Sequence, residues 1–165
     1  MELFFIKCQV CDIIMCMTAT GHAVIGTVIA AKIGNPYLAV PIALVSHILA
    51  DIFPHWDTAT NVDKKGKKRV IAETFFDIAI GFFVSYVLLF SLFPKTNPLY
   101  ALFIIFVSQS FDWLTAPYYF FKINIPPFTW AYHLQKKFDN ELDKPWGIIN
   151  QIVILILVVA LAKIF

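Results

Sequence analysis

Apolar residues in this chain gather into five long runs, and polar or helix-breaking residues fall between them. A helix needs about 20 mostly apolar residues to span the roughly 30 Å of bilayer hydrocarbon. The runs cover residues 18–33, 36–53, 70–93, 98–121 and 147–165. The first is short and rich in Gly, Ala and β-branched residues, and the last contains the segment IVILILVVALA. Gly34-Asn35-Pro36, Pro54, Pro94 to Pro98 and Pro126-Pro127 supply the breaks. The pattern predicts an all-α integral membrane protein, a compact bundle of about five transmembrane helices. One interfacial, aromatic loop segment runs from Phe121 to Trp146. No internal repeat is visible, so residues 18–165 are expected to form one domain.

Composition agrees. Of 165 residues, 59% are hydrophobic and 15% charged, against about 45–50% and about 25% in soluble domains. That excludes a disordered chain, a coiled coil and a soluble nucleic-acid binder. The placement of charge matters more than its net value. Lys64, Lys65, Lys67, Lys68 and Arg69 lie in one loop, and Lys122, Lys136, Lys137 and Lys144 in another. With five alternating spans both loops fall on one side, joined by Lys7, while Lys32, Lys95 and Lys163 face the other. The positive-inside rule makes the first side cytoplasmic, with the N-terminus in and the C-terminus out of the inner membrane. Topology accounts for the basic clusters, so no nucleic-acid partner is expected.

Residues 1–16, MELFFIKCQVCDIIMC, read as an extension: Glu2, Lys7 and Asp12 interrupt any span, and no small-residue cleavage site follows. Met17 is an alternative start. Cys8, Cys11 and Cys16 all lie here; the Cys-x-x-Cys pair has metal-binding or redox precedent but stands alone, and its thiols should stay reduced on the cytoplasmic side.

Ionisable residues inside spans are costly and usually functional. His22 lies near the start of span one, His47 and Asp51 in the last turns of span two, with His55 and Asp57 just beyond. Glu73 and Asp77 occupy the first turns of span three, Asp112 lies about two turns before the end of span four, and His133 follows in the loop. Alternating span direction puts all of them in the cytoplasmic half. His47 and Asp51, four apart, share one helix face, as do Glu73 and Asp77. Ser108, Asp112 and Thr115 form a stripe, and Gln151 looks inward. Imidazoles and carboxylates at one depth suit a divalent metal ion, Zn²⁺ or Mn²⁺, which removes the cost of crowding carboxylates in low dielectric. His22, His47, Asp51, His55, Asp77 and Asp112 are the expected ligands, Glu73 the general base and His133 the acid for the leaving group. Blander roles stand beside these: Glu73 capping its helix or pairing with Arg69, His133 solvated beside Lys136 and Lys137, and any histidine as an interhelical hydrogen-bond partner. Trp56, Trp130, Tyr132 and Trp146 read as an interfacial aromatic belt; Gly26 and Ala30 suggest close packing.

Gly21-His22 and His47-Ile-Leu-Ala-Asp51-Ile-Phe-Pro-His55-Trp-Asp57 resemble elements of the membrane-bound metal-dependent hydrolases, inner-membrane proteins sometimes described as LexA-binding. That group carries Thr-His near the start of span one, of which His22 remains here. It carries Pro-Asp-x-Asp-His at the end of span two, whose ingredients recur here in a different order. The His-x-x-x-Asp clip is also similar to that of zinc-dependent phospholipases C. The resemblance implies phosphoester hydrolysis at clustered metal ions and covers about the first 60 residues. The group's His-Arg-Gly-x-Thr-His element is missing, and Glu73 and Asp77 stand in its place.

The expected function is therefore metal-dependent hydrolysis of a phosphoester or similar bond in a lipid or membrane-associated substrate at the cytoplasmic leaflet. A proton- or metal-coupled transporter is the rival from another class, and it needs a polar path to the far side. A non-catalytic membrane scaffold is the third reading, and it predicts dispersed rather than convergent polar groups.

Overall fold

The computed structural model describes residues 17–59 and 62–165; the three cysteines lie outside them. The described residues form seven longer helices and one short one: α1 Ala19–Lys32, α2 Pro36–Ile52, α3 Val62–Lys65, α4 Lys67–Leu92, α5 Pro98–Ser108, α6 Ser110–Phe121, α7 Phe128–Phe138 and α8 Trp146–Ile164. They contain no β-strand, only an isolated bridge between His55 and Glu141.

Local sequence explains where the helices begin. Asn35 and Asn97 each precede a proline, and each side-chain oxygen accepts a backbone N–H of the first turn, from Tyr37 and from Leu99 and Tyr100. The proline then occupies the first helical position, where its missing N–H costs nothing. Thr18 caps α1 in the same way, accepting from Gly21. Gly66 enters α4 at φ 77°, a conformation that favours glycine.

Helix α1 is the axis of the bundle and packs chiefly against α4 and α5. Close approach depends on small residues. A Cβ on Gly26 would lie 3.0 Å from the Cα of Ile105 and closer still to the Ser108 hydroxyl; one on Gly81 would lie 3.0 Å from the Cα of Thr20. The apolar core gathers Ile29, Ala30, Ala39, Ala43, Leu89, Ala101 and Ile104. These come from the end of α1, the start of α2, the end of α4 and the start of α5. The ionisable groups of the sequence lie towards the other end of the same helices.

Helices α4 and α8 are long and apolar enough to cross a membrane, and α5 with α6, bent by 47°, makes a third if the pair is one span. Their outer faces are strongly apolar: Phe75, Phe76, Phe83 and Phe90 on α4 and Ile152, Val153, Ile156 and Leu157 on α8 are all exposed, a surface suited to lipid. The other two expected spans come out short, at 14 residues for α1 and 17 for α2. Burial among neighbours explains this for α1, whose residues His22, Ala23, Val24, Thr27 and Ala30 are all buried: a helix sheathed in protein need not match the hydrocarbon thickness.

The segment expected as an interfacial loop contains α7, an amphipathic helix. Ala131, Tyr132 and Gln135, one helical face, are buried, whereas Trp130 and His133 are exposed. Tyr132 packs on Tyr118 at 4.6 Å between ring centroids and so belongs to the interior, not to an aromatic belt. Trp56 is held between two cations, with Lys144 Nζ 3.9 Å and Lys65 Nζ 4.9 Å from its ring centre. Trp130 and Trp146 remain exposed, as a belt requires.

Gly26→Val is expected to lower stability by about 1–3 kcal/mol through overpacking against α5. Gly34→Ala, where a Cβ would touch nothing within 4 Å, should stay within about 0.5 kcal/mol of wild type. Reversible denaturation in detergent measures both; equal stability of the two variants would show that the α1–α5 contact is not tight.

Candidate metal centre

The buried polar cluster is assembled from four helices. Helix α1 brings His22 and α2 brings His47 and Asp51, all at or below 1% exposure; α6 supplies Asp112 and α7 supplies Gln135. Asp51 spans the Nε2 edges of the two imidazoles, its Oδ1 3.2 Å from His22 Nε2 and its Oδ2 3.5 Å from His47 Nε2. The backbone N–H of Met17 also donates to Oδ1, at 2.9 Å. The two imidazole rings stack, centroids 3.8 Å apart and planes 10° from parallel. Asp112 Oδ1 approaches His47 Nε2 to 3.6 Å.

Hydrogen bonding settles which nitrogen of His47 carries the lone pair. Its Nδ1 lies 2.6 Å from the carbonyl oxygen of Ser108. A carbonyl only accepts, so Nδ1 carries the proton and Nε2 presents a lone pair to the cluster. Ser108 is the last residue of α5, where carbonyls lack an intrahelical partner. The Ser108 hydroxyl in turn donates to the His22 carbonyl at 2.9 Å, tying α5 to α1. Gln135 completes the arrangement: its Nε2 lies 3.0 Å from both His47 Nε2 and Asp112 Oδ1. One amide nitrogen thus directs its two N–H bonds at the two lone pairs, the positive end of a dipole among acceptors.

His22, His47 and Asp112 offer donor atoms that all lie within 4.8 Å of one another, and this group could hold a metal ion. Tetrahedral bonds of about 2.0–2.1 Å put donors roughly 3.4 Å apart, so binding would draw the atoms inward and open the stack of imidazoles. Asp112 Oδ2, a buried atom without a hydrogen-bond partner, fits that role. Against protein-family models, curated proteins and solved structures, the chain finds no match.

Other expected site residues are engaged elsewhere. Asp77 caps α1 from across the bundle, its Oδ2 accepting from the Ala19 N–H at 2.6 Å and its Oδ1 from the Thr20 hydroxyl at 2.7 Å. Glu73 pairs with Lys65 at 2.9 Å and with Arg69, one turn earlier, at 2.8 Å; it is bound as an anion between two cations rather than held over the cluster. His133 is exposed and lies edge-on to Tyr132. His55 joins a second polar group. Its Nδ1 donates to the Phe53 carbonyl at 2.6 Å, and its Nε2 faces Asp139 Oδ1 at 3.4 Å. The strand-like bonds from His55 N to the Asn140 carbonyl and from Leu142 N to the His55 carbonyl bring the two together.

Gln135 and Asp139 escaped the sequence reading. An amide carries no charge to draw attention, and the helix presenting Gln135 read as a loop. The signal available was the spacing of Ala131, Tyr132 and Gln135, an apolar-polar face at helical period. Gln151, by contrast, is buried as expected, and its amide donates to the Thr18 hydroxyl.

Burial, together with the neighbouring carboxylates of Asp57, Asp51 and Glu141, pushes the Asp139 carboxyl up to about 9. The folded state therefore holds a proton that the unfolded chain, titrating near 3.9, has released. Stability from this group falls as pH rises between those values. Asp139→Asn, which mimics the neutral acid, should flatten the decline of the melting temperature between about pH 5 and pH 9; an unchanged pH profile would mean that Asp139 is ionised in the fold.

Desalted wild-type protein should bind Zn²⁺ or Mn²⁺ stoichiometrically by elemental analysis. His47→Ala and Asp112→Asn should weaken binding by more than the roughly 10–100-fold typical of an outer-shell change. His133→Ala and Glu73→Gln should leave it intact. Equal metal content in all five proteins would dissolve the site.

Proposed function

We propose that the chain is a membrane-embedded, metal-dependent hydrolase that cleaves a phosphoester or similar bond of a lipid or membrane-associated substrate at the cytoplasmic leaflet. One observation carries this reading: His22, His47 and Asp112, from three separate helices, converge with Asp51 in a buried cluster. A buried carboxylate, Asp51, beside two buried imidazoles and the partly buried Asp112 calls for a cation or proton to balance it. The resemblance of the Gly21-His22 and His47 to Asp57 elements to metal-dependent membrane hydrolases points the same way.

In this reading His22, His47 and Asp112 hold the ion, and Asp51 stands beside both imidazoles as the free carboxylate. A divalent ion, when bound, supplies Lewis acidity and a water of near-neutral pKa. Ser108 keeps the His47 lone pair directed at the centre. Gln135, bonded to both His47 and Asp112, holds those donors in place and yields its position as substrate or ion arrives. Glu73 is bound to Lys65 and Arg69 and His133 is exposed, so proton transfer falls to Asp51. Five membrane crossings, with α1 and α2 shortened and α5–α6 bent, fit the distribution of Lys and Arg, which puts the cluster on the inner side. The packed apolar core of Ile29, Ala43, Leu89 and Ile104 fills the opposite end of the bundle and disfavours a transporter.

Purified protein in mixed micelles should hydrolyse 4-methylumbelliferyl phosphate or its alkyl diester. Chelation should stop the reaction and Zn²⁺ or Mn²⁺ should restore it. His47→Ala should lower the rate roughly 100-fold or more. Turnover that survives chelation and His47→Ala alike would refute the assignment.

A further inference from the structure

The two helices long enough to cross a membrane start side by side. Lys65, two residues before α4, and Lys144, two residues before α8, place their ammonium groups 4.9 Å and 3.9 Å from the centre of the same Trp56 ring. A Cβ on Gly147, the second residue of α8, would come within 2.7 Å of the Trp56 backbone nitrogen. Trp56 thus marks the level at which the chain passes from polar loops into apolar helices. Five of the 13 Lys and Arg residues, Lys64, Lys65, Lys67, Lys68 and Arg69, gather there. Residues 62–73 set two carboxylates against them, Asp63 and Glu73, and Glu73 is taken by Lys65 and Arg69. Lys64, Lys67 and Lys68 are exposed and make no ion pair among the described residues. Below them the same side of α4 turns apolar. Phe75, seven residues or about 10 Å along the helix from Lys68, is exposed, as is Phe76.

We propose that Lys64, Lys67 and Lys68 bind the headgroup phosphates of anionic phospholipids in the bilayer that surrounds α4. Unanswered positive charge selects an anion, and the phenyl rings beneath it select one that brings acyl chains. Ten ångströms is the step from hydrocarbon to headgroup: the polar regions add about 10–15 Å to a core of about 30 Å, shared between two faces. A phospholipid lying against Phe75 and Phe76 therefore carries its phosphate to the lysines. An ammonium is a compact point charge without the fork that reads phosphate geometry, so preference follows headgroup charge and not headgroup shape. Lys144 stands beside the exposed Glu141 and Asp143, which centres the attraction on the α3–α4 corner. The site is separate from the metal centre and requires neither a bound ion nor turnover.

The test uses the full chain in phosphatidylcholine vesicles with a trace of spin-labelled lipid, and electron paramagnetic resonance reads the fraction held by the protein. At about 10 mM salt, where the screening length is roughly 30 Å, spin-labelled phosphatidylglycerol should be preferred over spin-labelled phosphatidylcholine by about fivefold. Salt at about 1 M, with a screening length near 3 Å, should remove most of that preference. The combined Lys64→Gln, Lys67→Gln and Lys68→Gln variant should bring the two lipids close to parity, and the matching arginine triple should keep them apart. Lys95→Gln, beyond the far end of α4, should behave as wild type. Equal retention of both lipids by wild-type protein would overturn the proposal, as would a preference indifferent to salt or one that survives the glutamine triple. Displacement of phosphatidylglycerol by millimolar inorganic phosphate or by a short RNA would assign the lysines to soluble anions instead. The salt and displacement arms use wild-type protein, so they decide the matter even where the triple variant melts early.

Discussion

Asp51 is almost wholly buried, and the groups that can answer its carboxylate in a medium of low dielectric are the His22 imidazole and the backbone N–H of Met17, with His47 close beside them. Removing the His22 imidazole would leave that carboxylate with little solvation, which is the costly way to break a buried pair. The need to keep that balance explains much of the surrounding architecture. The contacts of Asp51 tie α1 to α2 and to the backbone of Met17, and His47 carries the connection on to Asp112 of α6 and Gln135 of α7. The opposite end of the bundle carries no such constraint and is packed with small aliphatic side chains that let the helices approach.

The helices that read most easily from the sequence are those with the simplest physics. Helices α4 and α8 are long, apolar and uninterrupted, and length alone identifies them. His47 and Asp51 are legible because two ionisable residues one turn apart on an apolar helix must face each other and the interior. His22 and Asp112 followed from depth, since each sits near the same end of its helix. The failures have equally physical causes. Asp77 and Glu73 have the right charge and depth, but a carboxylate can also cap a neighbouring helix or pair with a nearby cation, and sequence spacing does not show which partner wins. Asp77 met the exposed N–H groups of α1, and Glu73 met Lys65 and Arg69. The break between α5 and α6 carries no proline or glycine at Gln109, so nothing local announces it.

Two polar centres with different chemistry stand close along the chain. Around His47 the lone pairs converge, with an amide nitrogen directed at them. Around His55 the ring Nε2 faces Asp139 Oδ1 at 3.4 Å, and burial beside other carboxylates pushes the Asp139 carboxyl up to about 9. The first arrangement invites a cation; in the second a proton retained by the acid takes away the carboxyl's charge. Asn140 links them, its N–H donating to the Asp51 carbonyl while its own carbonyl accepts from His55.

The bend between α5 and α6 does more than shorten a helix. It releases the Ser108 carbonyl, which would otherwise be spent inside a continuous helix, and that oxygen decides the tautomer of His47. Curvature of one rod and basicity of one nitrogen are thereby a single mechanical variable. Had the pair run straight, that carbonyl would belong to the helical ladder, and His47 would lack the acceptor that fixes its tautomer.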